Sequence, residues 1–208
     1  MKIYSYIITR DYGFAPNPFY GYCTLATCKP RIRLSADIGD VIVGLGSGAK
    51  NSIYKNKLIY VMIVSKKITF DEYWDDQRFF SKRPQIHGSL KHMYGDNIYH
   101  TDPNTGQIIQ ENSHHSLDEG KTNYKNLERD TSGKYVLISN QFWYWGSSAV
   151  DIPKSFLGLT DVGRGYKVVD DEKFVSDFIG WLEQAYPEKR MYGFPHHFND
   201  SFTRYSGE

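Results

Sequence analysis

The apolar residues of this chain come in short runs, the longest being the seven of "LIYVMIV" at 58–64, and this limits what it can fold into. A bilayer-spanning helix needs ~20 consecutive apolar residues, so no segment reads as a membrane span. Runs of this length that are rich in Val, Ile and Tyr read as buried strands. "KIYSYIIT" at 2–9 alternates and predicts an opening strand, and "ADIGDVIVGLG" at 36–46 turns on Gly39–Asp40 into another. "KLIYVMIVS" at 57–65 and "KYVLISNQFWYWG" at 134–146 supply further strands. Helices are signalled in two places. Thr69 and Glu72 have the capping-box spacing that opens a helix. Phe174, Phe178, Trp181, Leu182 and Ala185 share one helical face over about 170–186.

Residues 81–134 are different in kind: polar, with the turn formers "DPNTG", "DEG" and "DTSG". They read as a long irregular insertion, the type of segment in which binding and catalysis concentrate. The whole predicts one α+β domain over 1–208, with a strongly bent mixed sheet or a small β-barrel and helices packed on it. A Gly-Asp turn, two buried strands and a capped helix resemble, at fold level, the PUA-like barrels that include EVE and YTH domains.

The segment "GFAPNPFYGYCTLATCKPRIR" at 13–33 has two cysteines, three prolines, three cations and no acid. Pro16 and Pro18 keep it extended, and "GYCTLATCK" is expected to form a short helix stopped by Pro30. Cys23 and Cys28 have neither a disulfide framework nor a metal-ligand spacing, and read as core thiols. Lys29, Arg31 and Arg33 fall on one side if extended, where they could clamp phosphate or protect a strand edge. Residues 1–70 hold ten Lys/Arg against three acids, a surplus of seven that the rest of the chain reduces to one. A basic third suits a nucleic-acid or phosphate partner, and equally a solvated face. The N-terminus lacks a signal-peptide apolar region, so a cytoplasmic protein without a membrane partner is expected.

Five of the seven histidines fall between 87 and 115, at His87, His92, His100, His114 and His115. "GDNIYHTD" and "ENSHHS" mix them with Asp, Asn and Glu, which suits acid–base chemistry or polar loop capping. Neither has a zincin spacing. "GLGSGAKNS" at 44–52 departs from a phosphate loop at Ala49 and Asn51 and reads as a glycine-rich hairpin connection. "QFWYWG" sets Phe142 and Tyr144 against Trp143 and Trp145, one pair for a core and one for packing or base stacking.

Taken together, "SYIITRDYGFAPNPFYGYCTLATCKPRIRLSADIGDVIVGLGS", "GDNIYHTDP", "SHHS" and "VLISNQFWYWG" resemble the bacterial and phage family called nucleotide modification associated domain, second type. The resemblance implies a role in making or handling modified nucleotides in DNA and leaves the reaction open. It implies a nucleotide or DNA partner, together with other proteins of a base-modification gene cluster, and specifies no cofactor. Under an enzyme reading, a transferase or glycosidic-bond hydrolase, Asp11, Asp96, His100 and His114 are the candidate acids, bases or nucleophiles. Asn17, Tyr22, Lys29, Arg31, Arg33, Asn97, His115 and Tyr144 would bind substrate, with one pocket wall at the front of the chain and the other at 94–116. A reader would instead hold a modified base in a cage of Tyr22, Tyr144 and Trp145. A protein-interaction role through exposed aromatics is the third possibility.

Overall fold

A computed structural model describes residues 1–48, 52–163, 165–199 and 201–207. In chain order the elements begin with β1 (Ile3–Ile8), β2 (Cys23–Leu25), α1 (Pro30–Ser35), β3 (Val41–Gly46) and β4 (Lys57–Ile63). There follow β5 (Lys66–Thr69), α2 (Phe70–Asp75), α3 (Leu90–Met93), β6 (Tyr99–Thr101), β7 (Ile108–Gln110) and α4 (Tyr124–Thr131). The last are β8 (Tyr135–Ser139), β9 (Gln141–Tyr144), β10 (Val150–Asp151), β11 (Lys167–Val169) and α5 (Glu172–Ala185). The chain is α+β, as expected, and divides into two compact units.

The first unit comprises residues 1–11, 36–65 and 139–196. It holds a mixed sheet ordered β10-β4-β3-β1-β11, with β9 also pairing β4. β1 and β3 run parallel, from Ile3 opposite Val41 to Ile8 opposite Gly46, and the other pairs are antiparallel. Among the described residues the sheet does not close, so the barrel expectation gives way to the open mixed sheet. Its strands bury Val41, Val43, Leu45, Leu58, Val61 and Trp143 beneath Val175, Phe178 and Leu182 of α5. Each such apolar side chain contributes roughly 1.5–3 kcal/mol on burial. α5 opens where Asp171 accepts the Phe174 N–H and ends at Tyr186, held out of the helical region by the following Pro187. Ala185, expected on its buried face, is exposed, and Val175 is buried instead. Of the glycine-rich stretch, Gly44 and Gly46 lie in β3, and Ala49, Lys50 and Asn51 lie outside the described residues.

The second unit comprises residues 12–35, 66–138 and 197–208. It carries a small sheet ordered β2-β8-β5 and the β6–β7 hairpin. α2 starts with the expected reciprocal capping box between Thr69 and Glu72 and passes into a tight helical stretch, Gln77–Lys82. Residues 81–134 are more structured than a polar loop. They hold α3, β6, β7 and α4, and apolar periodicity does not mark α4 because the groups it buries are Asn126 and Asp130 rather than aliphatic side chains. The expected helix at 21–29 is strand β2 followed by a turn. The helix begins at Pro30 instead, a residue whose missing donor costs nothing in a first helical turn.

Candidate functional site

Between β2 and α1 the chain reverses through two consecutive residues in the left-handed region, Cys28 at φ 55° and Lys29 at φ 40°. Non-glycine residues hold this conformation only where the surroundings impose it, at roughly 1–3 kcal/mol each. Cys28 is therefore displayed on a strained strand-to-helix turn, half-buried, while Cys23 in β2 is fully buried as a core thiol.

The Cys28 Sγ lies 3.8 Å from His115 Nε2, and His115 Nδ1 lies 2.6 Å from Asp130 Oδ2. Asp130 acts at both ends of this line. Its Oδ1 accepts the Cys28 backbone N–H at 3.0 Å, and its Oδ2 also accepts the Tyr99 hydroxyl at 3.0 Å. One carboxylate thus fixes the backbone of the thiol and the ring of the base together. The His115 ring has one nitrogen toward the sulfur and the other toward the carboxylate. That is the geometry of a proton relay; the same three side chains also bring a sulfur, a ring nitrogen and a carboxylate oxygen within 4.8 Å of one another, close enough to hold a metal ion.

The surrounding residues hold the relay in place. The His115 carbonyl accepts Gln110 Nε2 at 3.2 Å and Asn126 Nδ2 at 2.9 Å, and Gln110 Nε2 also donates to Tyr99. Phe14 packs on the His115 ring with centroids 4.6 Å apart, and Tyr205 lies 5.6 Å away. Arg33 is fully buried and donates to three backbone carbonyls, those of Cys28, Tyr135 and Asp130. Burial alone would lower the His115 pKa, but the facing Cys28 and Asp130 outweigh it and raise it to about 9. Burial would likewise raise Asp130, yet His115, Arg129 and Arg33 bring its carboxyl below the usual range. Burial pushes Arg33 down to about 10, which still leaves it charged at neutral pH.

Gly133 gives a direct test of the Arg33 clamp. A Cβ there would sit 2.6 Å from the Arg33 Cζ, and this guanidinium, held by three carbonyls, has nowhere to swing. Gly133→Ala is expected to destabilise the fold by about 1–3 kcal/mol, read from urea unfolding; an unchanged midpoint would mean the clamp is loose.

The expected site residues separate into distinct settings. Asp11 and Tyr144 belong to the first unit, where the Tyr144 hydroxyl donates to Asp11 at 2.6 Å and the His196 N–H does so at 3.2 Å. Tyr144 and Trp145 are fully buried, so the expected aromatic cage gives way to core packing. The other ten lie in the second unit. Asn17, Asp96 and Asn97 gather in a buried polar knot. Lys82 donates to the Asn17 carbonyl, the Asn17 Oδ1 and the Tyr22 carbonyl, and Asp96 accepts from Thr24 at 2.6 Å and Tyr73 at 2.8 Å. Asn97 donates to the Tyr73 carbonyl. Asp96 is fully enclosed, and burial raises its carboxyl while it lowers Lys82 to about 8, so the role expected for Asp96 as acid or nucleophile gives way to holding the fold. Tyr22 is half-buried against Phe79.

His100 bonds Glu111 at 2.9 Å and stacks on Trp74 at 4.0 Å. His114 bonds the Thr203 carbonyl at 2.6 Å among the rings of Tyr12, Phe14 and Tyr94. The three cations do not form a stripe, because their segment is helical rather than extended. Arg31 is exposed, Lys29 half-buried and Arg33 spent on carbonyls, so Arg33 is no phosphate clamp. Of the two adjacent histidines, His115 rather than His114 meets the thiol.

No helix among the described residues is long and apolar enough to cross a membrane. No curated protein and no solved structure matches the chain. The family model described as nucleotide modification associated domain 2 matches residues 1–202, and the chain belongs to that family.

Proposed function

We propose that this protein is an enzyme of nucleotide modification that works by covalent catalysis, with Cys28 as nucleophile, His115 as proton carrier and Asp130 as its orienting group. The observation that carries this reading is the line from sulfur through imidazole to carboxylate, set on a left-handed turn and anchored by one buried acid. Reactive cysteines sit in partly exposed, electropositive surroundings, and here an imidazolium faces the sulfur and Lys29 follows it in the chain. The substrate is a nucleotide or a base within DNA. Arg31 is an exposed cation two residues beyond Lys29, available for phosphate.

The test combines nucleoside mass spectrometry with thiol labelling. Purified protein is incubated with modified and unmodified DNA and with nucleotides, and a mass change that vanishes in Cys28→Ser supports the proposal. In parallel, iodoacetamide should alkylate Cys28 at pH 6 at least tenfold faster than it alkylates glutathione. A rate no faster than glutathione removes the nucleophile from the reading.

The pH dependence follows from His115. With its proton held up to about pH 9, turnover should fall as pH rises through that value, because the acid that protonates a leaving group is lost. Alkylation needs no such acid and should not fall there. Parallel profiles for the two reactions would take His115 out of its acid role.

A further inference from the structure

Resting on the reading of Cys28 as nucleophile, we infer that the reaction is acyl transfer: the thiol attacks the carbonyl of an amide or ester carried by a nucleotide and holds the acyl group as a thioester. The placement of the proton carrier argues for this class. His115 Nε2 is 3.8 Å from the sulfur, so the proton it takes or holds is delivered within a bond or two of the atom under attack. A relay set at the nucleophile itself suits a reaction in which a leaving group departs from the attacked carbon and is protonated there. Addition of a thiol to a pyrimidine ring expels nothing at that carbon and needs its acid at the neighbouring ring atom. Glycosidic cleavage calls for at least one carboxylate free to face the scissile bond. The acid of this site lies behind the imidazole, with both oxygens taken by Cys28 N–H, His115 and Tyr99.

The steps balance without any further reagent. The Cys28 thiolate, its proton already on His115 Nε2, forms a bond to the carbonyl carbon as the C=O π bond opens and the carbonyl becomes an oxyanion. As it collapses, the C–N or C–O bond breaks and His115 Nε2 gives its proton to the departing amine or alcohol. Water or a second amine then attacks the thioester, His115 takes its proton, and the C–S bond breaks to return the thiolate beside the imidazolium. Asp130 keeps the ring in one tautomer throughout, so that the same nitrogen serves both halves. Nothing is oxidised or reduced. The substrate class is therefore a nucleotide bearing an acylated amine or hydroxyl, with water or an amine as acceptor.

The experiment uses the full chain and two probes. With p-nitrophenyl acetate, a burst of about one equivalent of nitrophenol is expected, together with one acetyl group that peptide mapping places on Cys28. The burst should be absent in Cys28→Ser and slowed about 100-fold or more in His115→Gln. With N4-acetyldeoxycytidine monophosphate, deacetylation should exceed that of an N-acetylated amine lacking the nucleotide by at least tenfold in kcat/KM. Rapid iodoacetamide labelling of Cys28 with no acetyl-enzyme would overturn acyl transfer and leave the nucleophile standing. Slow labelling would remove both. An acetyl group that appears equally in Cys28→Ser would place the chemistry elsewhere and overturn the inference.

Discussion

Exchanging Cys28 for serine is expected to lower turnover by about 10³-fold or more while leaving the fold in place. The substitution changes one atom. In this site that atom's structural part is electrostatic: it faces His115 Nε2 at 3.8 Å and helps to raise that ring's pKa, while the backbone around it is held independently. The Cys28 N–H is anchored on Asp130 and its carbonyl on Arg33, so the left-handed turn survives the exchange. What is lost is nucleophilicity, since a hydroxyl lacks the ready ionisation of a thiol at neutral pH. Thermal unfolding should therefore shift by no more than the few degrees that about 1 kcal/mol produces, while product formation falls to background. Retained turnover in a folded Cys28→Ser protein would sink the covalent mechanism. By contrast His100→Ala, at a residue engaged with Glu111 and Trp74 rather than with the thiol, should leave turnover within a few-fold of the original.

The parts of the fold that were legible in the sequence are those governed by apolar pattern and local capping. β1, β3 and β4 follow from alternating or continuous apolar runs, α2 from its capping box, and α5 from a face of Phe and Leu. The second unit resisted the same reading because much of what it buries is polar. α4 turns Asn123, Asn126 and Asp130 inward at positions spaced as one helical face, and a pattern search that counts only apolar residues sees a turn-rich loop. Asn123 at the N-cap and that polar spacing were the available signals.

The site was half legible. "SHHS" and the segment that holds Cys28 both stand out in the sequence by their density of chemically active residues. Their meeting is a product of topology that sequence spacing cannot reveal, with His115 87 positions beyond Cys28 and Asp130 15 positions further on. Topology also decides the role of Arg33. An arginine in a basic string looks like a phosphate ligand until the fold supplies three carbonyls within its reach.

Asp130→Asn should have the largest combined effect, because under the proposed mechanism this residue serves the chemistry as well as the fold. The carboxylate accepts from Cys28 N–H, from His115 and from the Tyr99 hydroxyl, and an amide supplies only one oxygen for these donors. Its amino group must then face a donor, so His115 is pushed toward the wrong tautomer and the relay is interrupted. Losses near 10⁴-fold are typical when the orienting acid of such a triad is amidated. Removing one partner of a buried charge pair costs about 3–5 kcal/mol, less whatever His115 recovers by shedding its proton.

The pH dependence separates this loss from a general packing defect. His115 is raised from 6.5 to about 9 in the fold, so its charged pairing contributes stability that is full below pH 6.5 and is lost as pH rises through about 9. Asp130 is held below its ordinary 3.8, so its contribution is present above that value and is lost as pH falls through the depressed carboxyl pKa. The stability gap between the parent protein and Asp130→Asn should therefore be widest between about pH 4 and 6.5 and should narrow by pH 9.5. Urea unfolding at pH 5.5 and pH 9.5 reads the gap directly. A gap of equal size at both values would show that the pair is not ionised in the fold, and with it would go the imidazolium that the mechanism places beside Cys28.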